Sequence, residues 1–106
     1  MANPYAGEVD IRVNSVTCTM KLTLGALATL EDQLDAENLV DLVRRFESGA
    51  PKARDVFALV HAGLQGGGWA GTVEDLWHAD IEGGIVEASR QAGLLLSRAF
   101  NVPGRS

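Results

Sequence analysis

Two short runs of strict alternation, separated by Asn14-Ser15, constrain this chain more than any other feature. In 7–13, Val9, Ile11 and Val13 alternate with Glu8, Asp10 and Arg12; in 16–22, Val16, Cys18, Met20 and Leu22 alternate with Thr17, Thr19 and Lys21. Period-two patterning marks half-buried strands. With a two-residue turn, Val13 faces Val16, Ile11 faces Cys18 and Val9 faces Met20, all on one face, and Glu8 opposes Lys21 on the other. Asn tolerates the positive φ of such a turn; Ser is a poorer second turn residue, which leaves a longer loop open. A lone hairpin is marginal in water, so its apolar face must be covered.

Helical periodicity follows at once. Thr23 is placed to cap a helix over 24–34 whose Leu24, Leu27, Leu30 and Leu34 share a face. A helix over 37–48 turns Leu39, Val40, Leu42, Val43 and Phe46 inward and Glu37, Asp41, Arg44 and Arg45 outward, with Gly49 as its stop and Pro51 opening the next. The third, 51–65, carries Val56, Phe57, Leu59, Val60 and Leu64 as its buried stripe and ends at Gly66-Gly67-Gly68. Thr72 and Asp75 form a capping-box-like start for a short helix over 72–79 containing Val73, Leu76 and Trp77. After Gly83-Gly84, a last helix over 85–100 buries Ile85, Ala88, Ala92, Leu95, Leu96 and Ala99, and 101–106 reads as a frayed tail. The expected fold is therefore α+β: one domain over 1–106, an N-terminal β-hairpin at about 7–22 packed on a small bundle of four to five short helices.

At 106 residues such a domain buries enough surface to fold without a disulfide or a metal. A net charge of −5, with nine scattered basic residues, argues against nucleic-acid binding, which needs clustered Lys and Arg. A single cysteine fits a reducing compartment, and neither a leader nor a membrane-spanning run is visible.

No constellation points to catalysis, a cofactor or a metal. The three glycines at 66–68 follow a helix rather than a strand and have no nearby Lys, so they read as a helix stop and flexible joint, not a phosphate loop. His61, at the edge of its stripe, and His78, beside Trp77, lack partners at metal-ligand spacing and read as two partly exposed histidines. Cys18 on the inward strand face reads as a small hydrophobe, and the carboxylates read as solvated. The expectation is a non-enzymatic binding protein. Its candidate partner-binding residues are Leu94, about 180° around the last helix from Ile85, Trp69 in the Gly-rich loop, and Trp77; the hairpin edges could also accept another chain.

The succession Asn3-Pro4-Tyr5 with Gly7-Glu8-Val9, Leu22-Thr23-Leu24-Gly25-Ala26-Leu27-Ala28-Thr29-Leu30-Glu31, Arg44-Arg45-Phe46-Glu47-Ser48-Gly49, Ala53-Arg54-Asp55-Val56, Gly63-Leu64-Gln65-Gly66-Gly67-Gly68 and Ala92-Gly93-Leu94-Leu95-Leu96-Ser97-Arg98-Ala99-Phe100 resembles the tail assembly chaperone family of gene transfer agents and related siphophage-like prophages. Residues 69–82 depart from that pattern. The resemblance implies a cytoplasmic protein of the bacterial host cell, absent from the mature particle. It implies binding to the tape-measure protein and recruitment of tail-tube protein, with self-association left open and no nucleic-acid or membrane partner. The alternatives are a structural tail or connector component, or a small cytosolic protein-binding regulator.

Overall fold

The structure, a computed structural model, describes residues 7–34, 38–49 and 51–99. Its elements run β1 (Val9–Val13), β2 (Val16–Met20), α1 (Leu24–Leu34), α2 (Asn38–Glu47), α3 (Ala53–Gly66), α4 (Val73–Trp77) and α5 (Gly84–Ala99). This is the α+β arrangement expected, an antiparallel hairpin followed by five helices. The inward placements expected for Leu34, Leu39 and Val40, the outward one for Glu37, and the end of the last helix with its tail lie outside the described residues.

The hairpin has the register read from the alternation: Val9 pairs with Met20, Ile11 with Cys18 and Val13 with Val16. Its turn is two residues long, with φ of 52° at Asn14 and 68° at Ser15, the doubly positive conformation that matches strand twist. The Arg12 guanidinium spans the turn, donating to the Ser15 carbonyl (2.8 Å) and the Thr17 hydroxyl (3.1 Å). Asn14 suits its place for a second reason. Its N–H donates to the Asp80 carbonyl (2.8 Å), while its side-chain oxygen accepts from the Asp80 N–H (2.9 Å). Together with a bridge from Val13 to Ile81, this ties the turn to the chain ahead of α5. One edge of the hairpin is thereby occupied along that stretch. The shared inner face is only partly buried: Val9, Ile11, Val13 and Met20 are covered, Cys18 is half-buried, and Val16 is exposed, because it lies at the turn end, beyond the helices beneath.

α3 is the hub, packing against β2, α1 and α5. Its glycines let a strand backbone lie directly on a helix. The Lys21 N–H donates to the Gly63 carbonyl (2.9 Å), and a Cβ on Gly63 would stand 2.6 Å from Leu95 Cδ2. A Cβ on Gly66 would strike the Lys21 carbonyl, and one on Gly67 the Thr19 carbonyl. Gly67 and Gly68 do stop the helix, with Gly68 at φ 92°. The flexible joint expected at 66–68 is instead a close-packed seam, since two of the three glycines are held against β2.

Helix packing corrects several faces. The Thr23 hydroxyl caps α1 through the Ala26 N–H (3.1 Å). Ala26 and Leu30 form its buried edge, with Ala26 set against the Gly66 seam, so the stripe rotates away from Leu24, which is 84% exposed. In α2, Leu42 is buried, Val43 and Phe46 are half-buried, and Asp41 and Arg44 face outward as expected. Arg45 does not. Its guanidinium grips Asp55 with two bonds (2.8 and 3.3 Å), and Asp55, also accepting the Lys52 N–H (3.1 Å), is fully buried. A carboxylate expected in solvent is thus the joint between α2 and the first turn of α3, where the helix dipole also favours negative charge. In α5, Ala88, Ala92, Leu95 and Leu96 are buried and Ala99 half-buried, but Ile85 is 58% exposed.

Gly66→Ala is expected to destabilise the protein by about 3 kcal/mol, the clash with strand backbone exceeding the helix-propensity gain. Gly25→Ala in α1, where a Cβ meets nothing closer than 4.0 Å, should stabilise by about 0.5 kcal/mol. Urea titrations of both variants check the opposite signs. Arg45→Met strands a buried carboxylate and should cost about 4 kcal/mol. Asp55→Ala leaves an arginine that can reach water, its side chain being 29% exposed, and should cost about half as much.

Candidate functional site: an apolar groove

An open, mainly apolar groove lies where α3, α4 and α5 fail to close on one another. Ala53, Val56, Phe57 and Val60, at helical spacing, make the floor from α3. Leu76 and Ala79, in and just after α4, make one wall, and Ile81 with Gly84, Ile85 and Ala88 makes the other. The groove holds about 280 Å³.

Local sequence explains the gap. α4 spans only five residues, because its Thr72–Asp75 capping box starts it and His78 ends it. The box is made as read: the Asp75 carboxylate accepts the Thr72 N–H (2.9 Å), and the Thr72 hydroxyl accepts the Asp75 N–H (3.1 Å). Gly83 and Gly84, at φ 86° and 67°, then turn the chain sharply into α5. The first turn of α5 therefore projects past Ile81, and Ile85, on the correct face for burial, finds no neighbour to cover it. Trp77 stands at the lip, 69% exposed, with its ring edge-on to Phe57 (centroids 5.2 Å apart, planes at 76°). Val73 is exposed on the same short helix.

None of the three residues singled out from sequence lines the groove; Trp77 stands beside it through its contact with Phe57. Trp69 is half-buried against the core, its indole folded over Gly71, where any Cβ would collide with it. Leu94, 40% exposed, sits on the far side of α5 from Ile85. The structure does not bring the three together. Ile85 was missed as a surface residue; the signal available was Ile85-Val86 directly after two glycines, an apolar pair in a helix's first turn.

Asp80 apart, no titratable side chain among the described residues lines the groove. Cys18 is half-buried, its Sγ 3.6 Å from the Val16 carbonyl. His78 is exposed and its N–H caps α4 on the Glu74 carbonyl (3.2 Å). His61 corrects the expectation of partial exposure: it is 3% exposed and neither ring nitrogen has a hydrogen-bond partner. It lies parallel to Phe57 at 6.4 Å between centroids, treated by the fold as a flat apolar ring. Burial pushes its pKa below the ordinary 6.5, because the charged form loses hydration. Among the described residues, no three His, Cys, Asp or Glu side chains are gathered to hold a metal, and no helix is long and apolar enough to cross a membrane.

His61 gives a pH-dependent stability of definite sign. Its folded pKa lies below its unfolded one, so the unfolded chain binds more protons as pH drops; stability present above 6.5 is lost as pH falls through the folded value. The urea midpoint should therefore decline from about pH 7.5 to about pH 5.5. In His61→Leu that slope should flatten, and removal of two unpartnered nitrogens should raise stability by about 1 kcal/mol at pH 7.5 and by more at lower pH.

Compared with known proteins, the chain is matched over residues 6–102 by a family model described as phage tail tube protein, GTA-gp10. The match supports a phage and gene-transfer-agent tail family, as the sequence resemblance did, and its span includes 69–82. Its description is a tail tube protein, where the resemblance implied a tail assembly chaperone. No curated protein and no solved structure matches the chain.

Proposed function

The chain belongs to the phage tail tube protein, GTA-gp10, family, and from that premise we propose that it is a structural component of a phage-type tail that joins neighbouring subunits through the groove between α3, α4 and α5. The observation that carries this reading is an open apolar groove lined by Phe57 and the exposed Ile85, with the exposed Trp77 edge-on to Phe57 beside it, the kind of aromatic-anchored surface on which subunit contacts concentrate. The role is non-enzymatic. The ionisable groups buried in the molecule are engaged in holding it together or are desolvated, as Asp55 and His61 illustrate. The partners are other tail subunits, the tail-tube protein first among them.

A second reading, the tail assembly chaperone that holds the tape-measure protein in the host cytoplasm and leaves before the particle is complete, is favoured by one specific observation. The hairpin is short and its edges are engaged near Ile81 and along the α3 glycine seam, which limits its use for joining a larger sheet in a tube wall. An acidic chain also suits a carrier that keeps an apolar client soluble.

Mass spectrometry of purified particles separates the two. The structural reading expects the chain there in stoichiometric amount, and the chaperone reading expects it only in the lysate. Co-expression with the tail proteins encoded beside it, followed by size exclusion, tests both: co-elution should weaken at least tenfold in Trp77→Ala, a lip residue whose loss leaves the core intact. Unchanged co-elution would remove the groove from either role.

A further inference from the structure

We propose that the groove takes an amphipathic helix from a partner protein, seating two of its apolar side chains between α3 and α5 and placing a Lys or Arg beside Asp80. This rests on the groove being the assembly surface proposed above and adds what fills it.

The backbone around the groove decides the occupant's conformation. Three walls are helices, whose interior backbone groups are spent on their own turns. The connecting stretch at 80–82 is spent in large part. The Ile81 carbonyl accepts the Gly84 N–H (2.9 Å), Asp80 exchanges bonds with Asn14, and the Glu82 N–H donates to the Arg12 carbonyl (3.3 Å). An extended peptide laid here would find no continuous run of ladder partners and would bury unpaired backbone groups. A helix arrives with its backbone already satisfied.

Volume decides how much of it enters. A cavity of about 150 Å³ lined by aliphatic and aromatic side chains takes one benzene-sized group. At about 280 Å³, this groove takes about two, the number a helix presents at i and i+4. Trp77 at the lip then covers the flank of the entering helix.

Charge decides its composition. Among the described residues lining the groove, Asp80 carries the only charge, and it is exposed. With a net charge of −5 on the chain, an acidic helix or a second copy is disfavoured and a basic one drawn in.

The test uses the full chain and fluorescein-labelled alanine-based peptides of about 14 residues, a length at which helix is marginally stable and so sensitive to a break. One carries two Leu at i and i+4 with a neighbouring Lys; a second has Glu for that Lys; a third has a central Pro. In low salt the Lys peptide should bind, the Glu peptide about threefold more weakly, and the Pro peptide at least tenfold more weakly. Ile85→Glu should reduce binding of the Lys peptide at least tenfold with an unchanged circular dichroism spectrum, since Ile85 is a surface residue. Asp80→Lys should reverse the Lys-over-Glu preference. Equal binding of the Pro peptide would overturn the helical occupant, and equal binding of the Glu peptide would overturn the basic one. A homodimer broken by Ile85→Glu would make a second copy the occupant and overturn the proposal. Absence of binding by every peptide would also overturn it; if tail proteins still co-eluted in a Trp77-dependent manner, the assembly function would stand with a different ligand, and if they did not, both would fall.

Discussion

Everything in this fold is built on one close contact, strand backbone against helix backbone where β2 meets the end of α3. Helix–strand packing ordinarily keeps a layer of side chains between the two; here Gly63, Gly66 and Gly67 remove that layer, and the Thr19 and Lys21 carbonyls occupy the space. The Lys21 N–H bond to Gly63 then continues the strand's hydrogen bonding into the helix. This contact fixes the hairpin's height over the core. Met20 is driven fully under cover between α3 and α5, and Ala26 of α1 can close on Gly66 from the other side. A residue with any side chain at these glycines would lift the hairpin and open the core beneath it.

The segments that carry the family resemblance fall on this framework more than on the groove. Arg45 and Asp55 belong to two of them and join each other in the interior; Gly63 to Gly68 is a third and forms the seam; Arg98, in the last, donates to the Glu8 carbonyl at the start of β1. These are constraints on how the chain folds. The groove's distinctive wall, by contrast, comes from 76–85, most of it within the stretch that departed from the resembled pattern. Sequence likeness therefore identified a scaffold and a tail family, and left the groove to be found in three dimensions.

What was legible in the sequence was local. The strand register followed from alternation plus a two-residue turn, and the caps at Thr23 and Thr72 followed from side chains reaching one turn away. What was hidden depended on partners far along the chain. Arg45 and Asp55 are ten residues apart, each at a position that helical periodicity assigns to solvent, and only the docking of α2 on α3 buries them. His61 lies at a stripe edge, where its exposure depends on what packs alongside. Ile85 has the right angular position for the core, but periodicity does not say where along its axis a helix outruns its neighbours. The glycines at 66–68 were visible as a stop, whereas the carbonyls pressed against them were not.

The clasp between the turn and the chain ahead of α5 has a consequence for the order of events. Asn14 and Asp80 lie 66 residues apart, so their bonds close a loop that spans most of the described chain. Closing a loop of that length carries an entropic cost that the packing of hairpin and helices offsets. The 79–82 wall has little burial of its own, and it is held to the turn by the Asn14–Asp80 bonds and the contacts beside them. Segments with so little burial belong to the class that opens locally at lower cost than a core. If the groove recognises a partner as proposed, its surface is complete only once Asn14 and Asp80, distant in sequence, have met, and recognition becomes a readout of completed folding.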